Sequence, residues 1–197
     1  MTPKEFKKTY WPDIAASCEE TGLNPLFVAA QAALETGWGK SAIGNNLFGI
    51  TKGSTWTGAV QLVTTREVFK TNTVTFKAPE KVLSITPLAN GKGYTYVVKR
   101  LFRDYDSVAD CLKDHSAILQ KPQFADACPH RHNRSKFLRA IVDNVGSKYA
   151  TDPNYVQSME AMFRTILSTL NAFTDAEILS LNLTKEQRAT FKQTAKS

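Results

Sequence analysis

Apolar side chains recur at helical spacing in the opening part of the chain. In the first segment an apolar residue returns every fourth position, as one buried face of a helix requires: Phe6, Tyr10, Ile14 and Cys18. Thr2-Pro3-Lys4-Glu5 has the form of a capping box with proline at the first helical position, and Gly22 is suited to end the helix. Asn24-Pro25 predicts the start of a second helix, which Gly37 would end.

The pattern changes between Trp56 and Arg103, where β-branched and aromatic residues dominate. Turn residues separate four stretches of this kind: AVQLVTTREVF, TVTFKA, KVLSITPL and YTYVVKRLF. The Ala89–Gly93 segment contains Asn-Gly and is typical of a hairpin turn. We therefore predict a small antiparallel sheet, a β lobe at about residues 54–104.

Helical patterns return after the β lobe. Ser107 predicts the cap of a helix to about Leu119, a further helix is predicted from about Lys136 to Val145, and Asp152-Pro153 predicts another helix start. The last of these has an apolar stripe in steps of three and four: Val156, Met159, Phe163, Ile166 and Leu170. The predicted fold class is α+β, mainly α, with a domain over residues 1–173. Residues 174–197 carry two capping boxes, Thr174-x-x-Glu177 and Thr184-x-x-Gln187, and few large apolar residues, which predicts a short helical C-terminal appendage.

The composition of the 197 residues is that of a soluble globular domain with a basic surface. The formal net charge is +7 and the pI about 9.3, so we expect attraction to an anionic polymer. No stretch approaches the ~20 apolar residues of a membrane span, and the first residues lack the apolar region of a secretory signal. Cys18, Cys111 and Cys128 have no paired spacing, which predicts free thiols rather than a disulfide framework.

The candidate for chemistry is Glu35. It falls in the last predicted turn of the second helix, where the helix dipole disfavours an anion by about 0.3–1 kcal/mol. Leu34, Trp38 and Phe48 are its apolar neighbours in sequence, and desolvation by them would raise the pKa of the carboxyl. Such a group suits a general acid, whereas an ordinary exposed helix-end glutamate is the alternative.

Four motifs, in order, resemble those of glycoside hydrolase family 73, the endo-β-N-acetylglucosaminidases of bacterial autolysins and flagellar peptidoglycan hydrolases. The first motif combines Ala32–Gly39, which contains Glu-Thr-Gly-Trp-Gly, with Asn45–Ile50. The others are Thr64–Val68, Phe102–Ser107 and Tyr149–Tyr155. The resemblance covers about residues 3–172, and it implies a lysozyme-like helical body with a β lobe over the substrate groove.

The resemblance also implies roles for particular residues. Glu35 matches the catalytic acid, Glu67 the glutamate of the β lobe that acts as base or helper, and Tyr149 the tyrosine that faces the cleft near the acid. Asn46 and Phe48 match the turn that lines the cleft floor. Trp56 and Tyr105 are further candidates for substrate contacts, with plain aromatic packing as the alternative for Tyr105, as it is for Tyr149 and Tyr155. Trp38 we interpret as a wedge that holds the helix end against the core.

Several sites remain as alternatives or are disfavoured. Glu80, Asp104 and Asp106 compete with Glu67 as the second carboxylate, because the segment from Glu67 to Phe102 is longer than the hairpin usual in the family. The histidines and cysteine of Cys128–His132 match no common zinc spacing and have arginine neighbours, so we expect a basic loop without metal. We expect no cofactor.

The expected function is hydrolysis of the β-1,4 bond between N-acetylglucosamine and N-acetylmuramic acid in peptidoglycan glycan strands. The alternatives are a lysozyme or lytic transglycosylase that cleaves the other glycosidic bond, or an inactive wall-binding protein. We expect a monomer with no nucleic-acid partner and no integral membrane association. We expect action at the cell wall, in the periplasm or outside the cell, as a phage lysin, a secretion-system effector or a trimmed autolysin domain.

Overall fold

Helices and strands follow the chain in the order that the pattern predicts. The computed structural model describes residues 1–145, 149, 152–170, 172–181 and 183–193. Their regular elements are α1 (Pro3–Thr21), α2 (Pro25–Thr36), β1 (Val60–Phe69), β2 (Lys81–Pro87), β3 (Tyr94–Arg103), α3 (Val108–Leu119), α4 (Arg134–Val145), α5 (Tyr155–Leu170), α6 (Asp175–Leu179) and α7 (Lys185–Gln193). The predicted fold class, mainly α with a small antiparallel sheet, is confirmed.

The chain forms two compact units, which we call the helical unit and the β unit. The helical unit comprises Met1–Phe48 and Asp106–Ser197, and the β unit comprises Gly49–Tyr105. None of the helices in the described ranges has the length and apolar content needed to cross a membrane.

The core of the helical unit is built on α2. Its residues from Leu26 to Ala33 are all buried, since α1 and α5 both pack against it. Met159, Phe163 and Ile166 of the predicted α5 stripe are buried in the same cluster, with Phe137 and Leu138 of α4.

The C-terminal segment contributes apolar side chains to that core. Both predicted capping boxes are present, at Thr174 and Thr184. Four apolar side chains of the segment are buried in the helical core: Phe173, Ile178, Leu181 and Leu183. A polar contact with α1 adds to this packing: Lys4 forms an ion pair of 2.8 Å with Glu177. The described residues of this segment are thus part of the packed unit.

The β unit is a three-stranded antiparallel sheet in the order β1-β3-β2. Alternate residues of β1 are half-buried, from Gln61 to Phe69, and the residues between them are exposed. The hairpin predicted at Ala89–Gly93 joins β2 to β3 and is confirmed.

One predicted strand is absent from the sheet. The stretch Thr73–Ala78 has no strand pairing, and the described sheet consists of β1, β3 and β2. A side chain holds it instead: the Val74 N–H donates to the Tyr96 hydroxyl, which in turn donates to the Thr71 carbonyl, at 3.2 and 2.9 Å.

Candidate active site

Local sequence determines where α2 begins and ends, and thereby where Glu35 stands. The Asn24 side chain accepts the N–H groups of Leu26 and Phe27, at 3.0 and 3.3 Å, and satisfies two donors at the helix start. Gly37 ends the helix in the left-handed conformation, with φ of 54°, which a residue without Cβ adopts at little cost. Glu35 therefore lies in the last turn, as predicted.

Glu35 combines an exposed side chain with a shifted ionisation. The residue is exposed to solvent, and yet desolvation by the surrounding protein raises the pKa of its carboxyl above the ordinary value of 4.5. Within the described part of the helical unit, no group forms a hydrogen bond or an ion pair with it that would favour the charged form. The arrangement can hold a proton and still reach a ligand, as a general acid must.

A cluster of four polar side chains lies beside Glu35, and we call it the polar cluster: Gln31, His115, Tyr149 and Tyr155. The Gln31 amide nitrogen hydrogen-bonds to the Tyr149 hydroxyl and to the Tyr155 hydroxyl, the latter at 3.0 Å. The Gln31 Oε1 lies 3.0 Å from Nε2 of the buried His115. Burial raises the pKa of both tyrosines, and the negative charge of Glu35 raises it further, so Glu35 is their electrostatic neighbour.

Tyr149 is held by aromatic packing as well as by its hydroxyl. Its ring contacts Phe124 and Tyr155 edge-on, with centroids 5.7 and 5.8 Å apart. Ala150 and Thr151 of the same motif lie outside the described residues.

The turn after α2 contains three further residues that the sequence singled out. Phe48 stacks on the His115 ring, with centroids 3.7 Å apart and planes within 10°. Asn46 is buried, so its side chain supports the turn rather than facing solvent. Trp38 meets Phe6 edge-on at 5.7 Å and packs on the helical core, in agreement with the wedge interpretation.

Glu67 lies on β1 and is held by Arg100. Arg100 Nη1 donates to both Glu67 oxygens, at 2.8 and 2.9 Å, and Arg100 Nε donates to Glu80 at 2.9 Å. Glu80 also accepts the backbone N–H of Leu101 at 2.8 Å. The structure thus places two of the candidate second carboxylates, Glu67 and Glu80, on one arginine.

Trp56 and Tyr105 lie together in the β unit. Their rings meet at 5.5 Å, Trp56 Nε1 donates to the Ala59 carbonyl at 2.9 Å, and the Arg103 guanidinium lies 4.7 Å from the Trp56 ring centre. Tyr105 is buried and Trp56 half-buried. Nearby, Asp104 accepts a hydrogen bond from the Gln61 amide at 3.0 Å, whereas Asp106, in the helical unit, is exposed.

The loop at Cys128–His132 supports α2. The Arg131 carbonyl accepts the Asn24 N–H at 2.9 Å, and the His132 carbonyl accepts the Asn24 side-chain amide at 3.0 Å. Across the residues that the structure describes, no three His, Cys, Asp or Glu side chains come together as metal ligands.

Comparison with known proteins places the chain in a family. The family model described as mannosyl-glycoprotein endo-beta-N-acetylglucosaminidase, or Glucosaminidase, matches residues 11–168. The chain belongs to this glucosaminidase family, glycoside hydrolase family 73. The family resemblance that the four motifs indicate is confirmed.

Individual relatives match most of the chain. The chain is 30% identical to the peptidoglycan hydrolase FlgJ of Pseudomonas aeruginosa over 168 residues, which cover 81% of this chain and 36% of that protein. It is 31% identical to a probable N-acetylmuramidase of Lactococcus lactis over 159 residues, which cover 74% of this chain and 30% of that one. The chain thus spans about a third of the length of both relatives.

A solved structure shows the same fold. The glycoside hydrolase domain of Salmonella typhimurium FlgJ superposes with a TM-score of 0.66, over 92% of this chain and 99% of that one, at 24% identity.

Sequence reasoning missed the partners of the candidate residues. Gln31 is a polar residue inside the apolar run of α2, four positions before Glu35. A polar residue at a position expected to be buried indicates a hydrogen-bonding role, and this signal is present in the sequence. For Tyr155 the sequence offers aromatic packing as the alternative, and it does not indicate the hydrogen bond to Gln31. Arg100 carried no signal, because its proximity to Glu67 depends on the strand pairing.

Proposed function

We propose that this chain is a peptidoglycan hydrolase that cleaves the β-1,4 bond between N-acetylglucosamine and N-acetylmuramic acid, with Glu35 as general acid. Family membership and the relatives named peptidoglycan hydrolase support the substrate class. The observation that carries the proposal is Glu35 itself: an exposed carboxyl at a helix end, with a pKa raised by desolvation. Such an enzyme acts where its glycan is, at the cell wall.

The reaction needs a proton at the leaving oxygen and stabilisation of positive charge at the anomeric carbon. Glu35 gives its proton to the glycosidic oxygen as the bond to the anomeric carbon breaks. The Tyr149 hydroxyl, electrostatically coupled to Glu35, lies beside the carboxylate that this step creates.

Glu67 is the second carboxylate of the proposal. It either takes a proton from the attacking water or orients the acetamido group of the substrate for attack. Both Glu67 oxygens accept a hydrogen bond from Arg100, and each oxygen keeps a second lone pair that can accept a proton. Arg100 fixes the orientation of the Glu67 carboxylate, and Glu67, Glu80 and Arg100 together carry one net negative charge.

Aromatic rings provide the sugar contacts in this proposal. Trp56 has one face covered by Arg103 and is anchored through its indole N–H, which leaves a rigid half-exposed ring for stacking. Phe48, partly exposed over His115, offers a second apolar surface. Tyr105 and Asn46 are buried and would support these surfaces.

Digestion of purified peptidoglycan tests the proposal. Wild-type protein should release fragments with new N-acetylglucosamine reducing ends, and Glu35→Gln should bind the same material without releasing them. Mass spectrometry of borohydride-reduced fragments identifies the end. Full activity of Glu35→Gln, or no release by the wild type, would contradict the proposal.

A second candidate is cleavage of the other glycosidic bond. The 31% identity to a probable N-acetylmuramidase favours it, since that match covers 74% of this chain. The same digest separates the two activities, because N-acetylmuramic acid or anhydro ends would identify the second one.

A further inference from the structure

The polar cluster contains a buried glutamine whose hydrogen-bonding groups are all engaged. Gln31 is only 6% exposed, and burying an amide is unfavourable unless its groups are paired. Its oxygen pairs with His115, and its two N–H groups pair with Tyr149 and Tyr155. These partners lie 84, 118 and 124 positions away along the chain, so the amide connects α2 to α3, to α5 and to the segment before α5.

The unpaired nitrogen of His115 decides the direction of these hydrogen bonds. Burial lowers the pKa of His115 to about 3, so the ring is neutral and carries one hydrogen. Among the described residues Nδ1 has no partner. A hydrogen on Nδ1 would leave a buried N–H without an acceptor, which is rare, so the hydrogen belongs on Nε2. His115 then donates to Gln31 Oε1, and the Gln31 amide nitrogen faces the tyrosines.

The orientation of the Gln31 amide determines which hydrogen bonds the two tyrosine hydroxyls can form. Each tyrosine oxygen accepts an N–H from Gln31, so the hydrogen of each hydroxyl is left to be donated to another group. Glu35 follows Gln31 by four positions, on the same face of α2, and its charge acts on both hydroxyls.

We propose that Gln31 and His115 are positioning residues, which orient the Tyr149 and Tyr155 hydroxyls so that one O–H is presented to Glu35. The inference rests on the proposed function. When Glu35 has transferred its proton to the leaving oxygen, it is an anion in a desolvating site. The oriented O–H donates to that carboxylate and stabilises it, and no proton leaves the tyrosine.

Substitutions in soluble linear glycan assays test the positioning role. Gln31→Met keeps the size and removes all three hydrogen bonds, and His115→Phe keeps the ring stacked on Phe48 without a donor. Both should lower kcat by about tenfold or more and change KM by less than about threefold. His115→Gln places an N–H near the Nε2 position and should recover most of the lost kcat.

The matched control is Leu119→Ala, a buried substitution one turn after His115 on α3 and outside the polar cluster. It should lower stability and leave kcat unchanged. Equal kcat losses in Leu119→Ala and His115→Phe, or a full kcat in Gln31→Met, would overturn the inference.

The ring hydrogen of His115 is measurable without activity. Nitrogen-15 NMR of histidine-labelled protein distinguishes the two neutral forms, and His130→Gln and His132→Gln assign the three histidines. His115 should carry its hydrogen on Nε2 and stay neutral as the pH is lowered from 7 to about 5. A hydrogen on Nδ1 would overturn the inference.

The two proposals fail in different ways. Inactive wild-type protein would remove the proposed function, whatever the NMR result. Active wild type and inactive Glu35→Gln, together with an active Gln31→Met, would remove only the positioning role.

Discussion

A catalytic acid has to be accessible to its substrate and still hold its proton near the working pH. Glu35 meets the first condition through its exposed side chain, and the second through desolvation and the helix end. Tyr149 and Tyr155 add neutral hydroxyls beside it instead of cations, which would have lowered its pKa.

The activity of this group should depend on pH in a stated direction. In the proposed mechanism only protonated Glu35 donates, so kcat/KM should fall as the pH rises through the Glu35 pKa, which desolvation by the surrounding protein places above 4.5. In a pH profile of kcat/KM on soluble glycan, the midpoint of the basic limb should therefore lie above the pKa of an ordinary glutamate. A limb at or below that value contradicts the assignment.

The same pKa shift predicts the stability of Glu35→Gln. The pKa is higher in the folded than in the unfolded protein, so the wild type loses stability relative to the variant as the pH rises through the folded value. The Tm advantage of Glu35→Gln should be larger at pH 7 than at pH 4 by about 1–2 °C, because solvent screens an exposed carboxylate. Thermal unfolding at the two pH values measures it, and a difference of opposite sign would exclude a raised pKa.

Glu67 and Glu80 provide a comparison of two carboxylates on one arginine. Each substitution by glutamine breaks one ion pair with Arg100. If Glu67 takes part in the reaction, Glu67→Gln should lower kcat by about 100-fold, and Glu80→Gln by less than about tenfold. Equal losses would mean that the ion pairs, and not the chemistry of Glu67, account for the effect.

At the scale of elements, α2 is the part that positions the site. It carries Gln31 and Glu35 one turn apart, its start is capped by Asn24, and its sides are buried by α1 and α5. A buried helix with capped ends holds a side chain of its last turn more rigidly than a loop does.

The end of α2 should be sensitive to the backbone of Gly37. A Cβ at this position meets no atom within 4 Å, so the cost of Gly37→Ala comes from the left-handed conformation alone, about 1–2 kcal/mol. Gly37→Asn should cost less, because asparagine tolerates that conformation. Urea unfolding measures both, and equal losses would show that the backbone conformation is not the cause.

At the scale of the whole molecule, residues from both ends of the chain stabilise the helical core. Phe173, Ile178, Leu181 and Leu183 join the buried cluster of α1 and α2. Gln187 of α7 adds a hydrogen bond of 3.0 Å to Glu19 of α1. The segment after residue 173 therefore contributes to the stability of the unit that carries Glu35.

Two leucines of this segment test that contribution. Leu183 is 2% exposed and Leu179 is 61% exposed. Leu183→Ala should lower the free energy of unfolding by about 2–4 kcal/mol, whereas Leu179→Ala should change it by less than about 0.5 kcal/mol. A small loss for Leu183→Ala in denaturant unfolding would mean that the segment does not belong to the core.

Local sequence patterns were sufficient to predict the helices and to identify Glu35 as the candidate acid. Helix periodicity, the boxes at Thr2 and Thr174, and the caps at Asn24 and Gly37 depend on residues within a few positions of each other, so the sequence determines them by itself. The position of Glu35 in the last turn follows from the same short-range rules. The strand expected at Thr73–Ala78 failed, because strand pairing depends on which neighbours are available and not on β propensity alone.

The partners of the site residues were decided by tertiary structure. Arg100 reaches Glu67 across 33 positions through the register of β1 and β3, and His115 reaches Gln31 across 84 positions through helix packing. Hydrogen-bond partners at such separations leave no periodic signal in the chain. The physical reason is that a buried polar group accepts whichever partner the packing brings within about 3 Å, and the packing is a property of the whole fold.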